Sequence, residues 1–455
     1  MYQLKDYIAT INGKEYSTQY TLENETKLIL TRAKEENYTL PDWNTIVKIN
    51  VLIKNMVTDG FWQKQDTILN FAYNDPTLAD FSLINWKNPL SVTNLVTYSS
   101  DMSHQSWNSG GAQKKHNTTD TLAPDGTVTA CKLNDTGAYE NPSVPSKQFI
   151  TANSSTITYS IYTKSGTAVF RTFLLRNETT STNFEVGTFN YASNSFIGNT
   201  KWSSTNVGND WYRISYTQNT GISQNNYLTM YFGGTGEIES FGTWYVWGAQ
   251  VEDRDKASRY VPTGANPIYG NGIATSHGGM VYSATGYESN AIDGYINTHF
   301  NPVQTGINYT LNDAAFGGVC TKTESGNTAQ SLLIANDAGT CLHYNHPESS
   351  QFKLNTSNTL SAPVGTFEKG LKLNVRYSNS NISIIDRHVN NTRTALMNLS
   401  ALTNQHFKLF VAANFYSAQS MGFVQIGGSI SYPQSQNFRV YYNDFLQRIG
   451  LEPIA

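Results

Sequence analysis

From about residue 88 to the C-terminus, aromatic and β-branched residues recur in short alternating runs, and turn formers separate each run from the next. Thr156-Ile157-Thr158-Tyr159-Ser160-Ile161-Tyr162, Trp211-Tyr212-Arg213-Ile214-Ser215-Tyr216, Tyr227-Leu228-Thr229-Met230-Tyr231-Phe232 and Thr243-Trp244-Tyr245-Val246-Trp247 are examples. Pro124-Asp125-Gly126 and Gly233-Gly234-Thr235-Gly236 supply the punctuation. Alternation with period two places every second side chain on one face, so such runs fold as half-buried strands. Their regular spacing predicts sandwiches or jelly rolls. Composition points the same way: charged residues make up 14% of the chain, against roughly 25% in an average soluble protein. An aromatic share of 13% with a net charge of −3 excludes disorder. The fold class expected is mainly β, with two β-sandwich or jelly-roll domains and a small helical N-terminal region.

At 455 residues the chain is too long for one ordinary core. Residues 1–89 carry the helical signals. Thr21 can cap a helix over 21–37, and Tyr38 to Asp42 breaks it. Trp43, Ile46, Val47, Ile49, Ile53, Met56 and Val57 give the next helix an apolar face that ends at Asp59-Gly60. A strand is predicted over 68–73 and a short helix over 75–81. Residues 90–266 and 267–455 read as two β domains. The second closes with a helix over 436–449, whose face is Phe438, Tyr441, Tyr442, Phe445 and Ile449.

Several classes of function are disfavoured. No block of Lys and Arg forms a phosphate-tracking stripe, so nucleic acid is not an expected partner. No run approaches the roughly 18–20 apolar residues of a membrane span, and Met1 to Asp6 lacks the pattern of a signal peptide. Cys131, Cys320 and Cys341 are too few and too scattered for a disulfide framework or a zinc site. One bridge, Cys320 to Cys341, stays open because 321–340 reads as a hairpin.

Two stretches resemble modules of bacteriophage structural proteins. Asn94 to Met102, Trp107, Ala123 to Thr127, Ala130 to Leu133, Asp210 to Ser215, Val246 to Glu252 and Ser258 to Thr263 follow in order. That string resembles the carbohydrate-binding-module-like jelly rolls of phage tail and fibre proteins. Val57 to Asp66, Phe81 to Pro89 and Gly294 to Pro302 resemble a tail-fibre-like domain. Its remainder is similar to a concanavalin-like sandwich closed by a C-terminal helix. The resemblance implies one discontinuous host domain with the jelly roll inserted between Pro89 and about Pro267. Family members carry Leu where Gln65 stands, which implies a local packing change. The resemblance also implies a virion protein, made in the host cytoplasm and exposed on the particle, with other virion proteins and host-surface polysaccharide as partners. No cofactor is implied beyond a structural calcium, with Asp101, Asp125 or Glu252 as donors. Repeated weak sites gain avidity when linked, so self-association as a homotrimer is expected. The rival reading is a purely structural decoration or fibre-base protein with no ligand of its own.

The chain is expected to be a binding protein and not an enzyme, with no catalytic residues. A glycanase needs two carboxyl groups flanking the scissile bond. Glu237 with Glu239, and Asp253 with Asp255, lie in turn-like polar stretches and read as surface charges. His343 and His346 lack the helix and acid of a zinc protease. Aromatics remain. Sugar rings present apolar C–H faces that stack on Trp or Tyr, while Asn, Asp, Gln or Arg fix the hydroxyls. Trp107, Trp202 and Trp244, with Arg171 and Asn209, are the candidate glycan-binding residues, and Arg213 is a further hydroxyl donor. Trp202, in the loop-like Lys201-Trp202-Ser203-Ser204, is the expected exposed ring. Trp211 is expected in the core. Trp244 and Trp247 fall on opposite faces of one strand, so only one of them is expected to be exposed.

Overall fold

The computed structural model describes residues 7–11, 14–18, 21–107, 113–135, 147–150, 156–198, 200–223, 225–232, 241–322, 331–336, 341–345, 349–356, 360–363, 369–378, 381–385, 390–394, 401–412 and 415–454. The architecture is mainly β, with several antiparallel sheets and few helices. Two compact units are present: Met1–Leu90 with Asn271–Ala455, and Ser91–Gly270.

In the first unit the described residues form a seven-stranded and an eight-stranded sheet. Strand Ser420–Gly427 lies inside the larger one, between Gly286–Ser289 and Ala314–Lys322, and Gln65–Asn70 also pairs with it. Every residue of Ser420–Gly427 is buried, as a strand covered on both faces must be. Phe423 enters a core shared with the helices Asn24–Glu35, Trp43–Thr58 and Tyr432–Arg448 through Ile29, Ile53, Met56, Phe438 and Tyr442. Its neighbour Val424 enters a second core with Ile296, Ile334, Phe407 and Leu409 of the other sheet. Helices, sheet and sheet therefore stack as layers, each burying one apolar face against the next.

Element ends depart from the sequence reading where tertiary contacts decide them. Thr21 does not cap the first helix. The helix begins at Asn24, where the Glu23 N–H and the Thr26 hydroxyl both donate to Asn50 Oδ1 at 2.7 and 2.9 Å. The last helix begins at Tyr432, ahead of residue 436, because Ser431 and Gln434 form a reciprocal capping box with a proline in the first turn. The strand predicted over 68–73 is Gln65–Asn70, its register set by Ile68 opposite Gln425. Gln65 is fully buried there, and its amide donates to the Phe61 carbonyl at 3.2 Å. The bridge left open at Cys320 is not formed: Cys320 is a free, buried thiol on a central strand, and burial pushes it up to about 12.

Asp66, next along that strand, ties down a distant loop. Its carboxylate accepts the backbone N–H groups of Ile307 (3.2 Å), Asn308 (3.0 Å) and Tyr309 (2.8 Å), and the Asn308 side-chain amide (3.0 Å). Hydrogen bonds to a charged acceptor contribute about 1.5–3 kcal/mol each, and orphaned buried donors cost comparably. Asp66→Asn points an NH₂ group at these donors. We expect it to lower unfolding stability by about 2 kcal/mol, read as a lower urea midpoint with an unchanged slope.

The second unit carries two six-stranded sheets among its described residues. One runs Ser203–Gly208, Trp211–Gln218, Ile157–Ser165, Gly242–Glu252, Cys131–Asp135, Gln113–Lys115. The other runs Ser195–Phe196, Gly187–Asn190, Phe170–Asn177, Tyr227–Tyr231, Lys147–Ile150, with Thr182–Asn183 beside Phe170–Asn177. A single core joins them: Ile157, Tyr159 and Ile161 of the first sheet share it with Phe173, Leu175, Leu228 and Met230 of the second. The outer face of the first sheet is closed by a smaller aromatic cluster. Trp211, Tyr245 and Trp247 pack there with Ala123 and Ala130, and Tyr162 and Tyr260 flank them. Both indoles are tied into the covering loop, Trp211 Nε1 to the Leu122 carbonyl and Trp247 Nε1 to Thr129 Oγ1, each at 2.9 Å.

Candidate functional site

Four of the five sequence-predicted glycan residues are buried in the second unit. Trp202, expected in a loop and exposed, is 5% exposed and belongs to the core. It stacks on Tyr216 at 5.0 Å, meets Tyr159 edge-on at 5.7 Å, and donates Nε1 to the Glu185 carbonyl at 2.9 Å. Gly187 makes room for it: a Cβ at that position would lie 2.5 Å from the indole. Trp107 is buried and donates Nε1 to the Tyr98 carbonyl at 2.9 Å. Trp244 is also in the core, and the guanidinium of Arg171 lies over its ring at 3.8 Å. Arg171 is itself fully buried and pairs with Asp135 at 3.1 Å, so it is a core cation and not a surface donor.

Asn209 is exposed but holds a turn. Asn209 and Asp210 have φ of 53° and 60° in the two-residue hairpin joining Ser203–Gly208 to Trp211–Gln218. Left-handed backbone favours Asn and Asp, which accounts for both residues. Arg213 is engaged by Ser160 Oγ at 2.8 Å and by the Ser258 carbonyl. Trp211 is in the core, as its motif indicated. Trp244 and Trp247 do face opposite ways, yet neither is exposed, because the loop around residues 118–130 covers the second face.

The acidic candidates separate as well. Glu237, Glu239 and the side chains of His343 and His346 lie outside the described residues. Asp255 is exposed, whereas Asp253, read as a surface charge, is 8% exposed. Burial, with a smaller contribution from the charge of Glu252, pushes Asp253 up to about 8. A raised carboxyl is what a general acid requires, but a residue buried to this degree is closed to a polymer. Glu252 is occupied by Ser258, whose backbone N–H donates to it at 2.9 Å and whose hydroxyl also donates. Asp101 and Asp125 each close a local turn, accepting from Ser103 and Thr127 respectively. Among the described residues no group of three or more His, Cys, Asp or Glu converges as a metal site, so Asp101, Asp125 and Glu252 are not gathered into one.

The outer face of the second sheet is covered at Thr172, Leu174 and Thr229, which are buried, and reaches solvent toward Tyr227, Arg176 and Tyr231. Leu228 and Met230 point into the core, so Tyr227, Thr229 and Tyr231 point out. Tyr227 is 48% exposed. On the neighbouring strand Phe173 and Leu175 are in the core, and Arg176 lies on the outer face opposite Thr229. Arg176 Nε is 3.1 Å from Glu178 Oε2, off the line of a hydrogen bond, and the Tyr231 hydroxyl donates to Glu178 Oε1 at 3.2 Å. Burial, then the Glu178 charge, raises the Tyr231 phenol above its ordinary value and keeps it a donor. Asn183, exposed on the short flanking strand, stands opposite Arg176. The sequence carried this signal: alternating with Leu228, Met230 and Phe232 stand Tyr227, Thr229 and Tyr231, each with a hydroxyl.

No family model and no curated protein matches the chain. Among solved structures it is similar to the N-terminal CBM22-1-CBM22-2 tandem domain of Paenibacillus barcinonensis Xyn10C. That match has 11% identity and a TM-score of 0.25, over 75% of this chain and 98% of that one. It is also similar to the tripod (BppUct-A-L) from the baseplate of bacteriophage Tuc2009, at 11% identity and a TM-score of 0.19, over 74% and 97%. Likeness at these scores carries no argument about function. No helix among the described residues is long and apolar enough to cross a membrane.

Proposed function

We propose that this chain is a phage fibre or spike protein built on two β-sandwiches, and that the Ser91–Gly270 unit binds host-surface glycan through the outer face of its second sheet. The observation that carries the reading is Tyr227, an aromatic ring about half exposed on a regular strand beside Arg176, Glu178 and Tyr231. An aromatic ring with a polar rim offers apolar stacking area and directed hydrogen bonds together, which is what a sugar ring takes. The sequence resemblance to phage carbohydrate-module-like jelly rolls supports the same reading. On it the protein binds and does not catalyse, is assembled on the virion with other virion proteins, and works as a homotrimer whose linked sites raise avidity.

Tyr227→Ala tests the site. An exposed ring adds binding area and little stability, and surface changes stay within about 0.5 kcal/mol. We expect at least about tenfold weaker adsorption to host polysaccharide, or roughly 1.4 kcal/mol, with an unchanged melting temperature. Adsorption equal to wild type would remove this face from the reading. A parent protein that binds no glycan at all would leave the purely structural role as the survivor.

A further inference from the structure

We propose that the glycan taken by the Tyr227–Tyr231 face is uncharged, and that Glu178 is the residue that excludes anionic sugars; this rests on the reading that the face binds glycan. Among the described residues in register on that face, Arg176 is the basic one. A guanidinium is the side chain best suited to a carboxylate or sulfate, because its planar fork matches two oxygens at once. Here the Glu178 carboxylate stands beside that fork, with Oε2 at 3.1 Å from Nε, and offsets its charge. The carboxylate does not hang free: the Tyr231 hydroxyl holds its other oxygen at 3.2 Å. An incoming uronic acid or sulfated sugar that reaches for Arg176 must lie beside this tethered carboxylate, and like charges in one site select against that ligand.

A neutral sugar meets the opposite situation. Each hydroxyl of a vicinal pair can donate and accept. Arg176 and Glu178 present donors and acceptors side by side, both partly exposed, with the Tyr227 ring close by on the adjoining strand. The pair sums to zero charge, so binding should depend little on salt.

The test uses the full-length protein against a neutral panel (a glucan, a galactan and a mannan) and an anionic panel (polygalacturonate and dextran sulfate). Binding is read at about 50 mM and about 500 mM NaCl, a range over which screening removes most long-range attraction. We expect the wild type to bind at least one neutral polymer with less than about twofold change across that range, and neither anionic one. Glu178→Gln should gain polygalacturonate binding by about tenfold or more at low salt, lost at high salt and lost again when Arg176→Gln is added. Preferential, salt-sensitive binding of anionic polymers by the wild type overturns the inference while leaving glycan binding intact. A Glu178→Gln protein that folds, binds neutral polymer and gains nothing also overturns it. Failure of the wild type to bind any polymer in either panel sinks the underlying reading itself. The wild-type panel decides the question even if the variant does not fold.

Discussion

Trp202→Ala is expected to cost about 3–5 kcal/mol of stability, the range for truncating a buried Trp or Phe, with no separate loss of ligand affinity. The indole is enclosed on several sides. Tyr216 stacks beneath it, Tyr159 meets it edge-on, and Phe173 and Phe196 lie at 6.2 and 5.6 Å. Its Nε1 and the chain leading to it are fastened to one residue: the Glu185 carbonyl accepts the indole N–H, and the Glu185 carboxylate accepts the Lys201 N–H at 2.7 Å and the Thr200 hydroxyl. Truncation therefore opens a cavity at the junction of the two sheets and removes the indole donor from the half-buried Glu185. Gly187→Ala should reproduce part of the loss from the opposite direction, since its new Cβ would enter the indole, and overpacking typically costs about 1–3 kcal/mol. Urea unfolding followed by far-UV circular dichroism measures both. A Trp202→Ala midpoint within about 1 kcal/mol of wild type would show that the ring is not enclosed in solution.

The way Trp202 misled explains what the sequence could and could not show. Its neighbours Lys201, Ser203 and Ser204 are those of a loop, and Ser203–Gly208 is an exposed edge strand. What buries the ring is Gly187 and the aromatics of four other strands, and no local pattern contains them. Trp247 teaches the same lesson. Alternation correctly put it opposite Trp244, but the cover over its face comes from Ala123 to Ala130, more than a hundred residues earlier in the chain. Local chemistry was legible where it acts locally. Asp42 caps its helix through the Thr45 N–H at 2.9 Å, and Gly60 takes the left-handed position after it, with φ 76°. Ser431-Tyr432-Pro433-Gln434 carries the capping-box pattern too, but the apolar face alone had put the start of that helix at residue 436. The outward face of the Tyr227–Tyr231 strand was readable too, from the hydroxyl-bearing alternation of Tyr227, Thr229 and Tyr231, but only once Trp had ceased to stand for every stacking ring.

Asp253→Asn should stabilise the protein at neutral pH and leave it unchanged in acid. Asp253 is buried, and among the described residues its Oδ1 has no hydrogen-bond partner. Loss of hydration opposes its charge, the Glu252 carboxylate adds to that, and the group is pushed up to about 8. An unfolded aspartate titrates near about 3.9. Between those values the native state holds a proton that the unfolded state has released, so stability falls as pH rises. The contribution is complete below about pH 4, declines by up to about 1.4 kcal/mol per pH unit, and is gone above about pH 8, a span on the order of 5 kcal/mol. Asp101 and Asp120 act in the opposite sense, since hydrogen bonds from Ser103 and Lys132 hold them below the ordinary carboxylate range and their stabilisation is lost in acid. The wild-type curve therefore mixes both signs, and the difference between wild type and Asp253→Asn isolates one group. Urea titrations at successive pH values from about 4 to about 8 should show the two proteins converging at the acid end. The variant should pull ahead by several kcal/mol at the alkaline end. Parallel curves over that range would mean that Asp253 reaches water or a cation in solution, and its burial in the core would have to be given up.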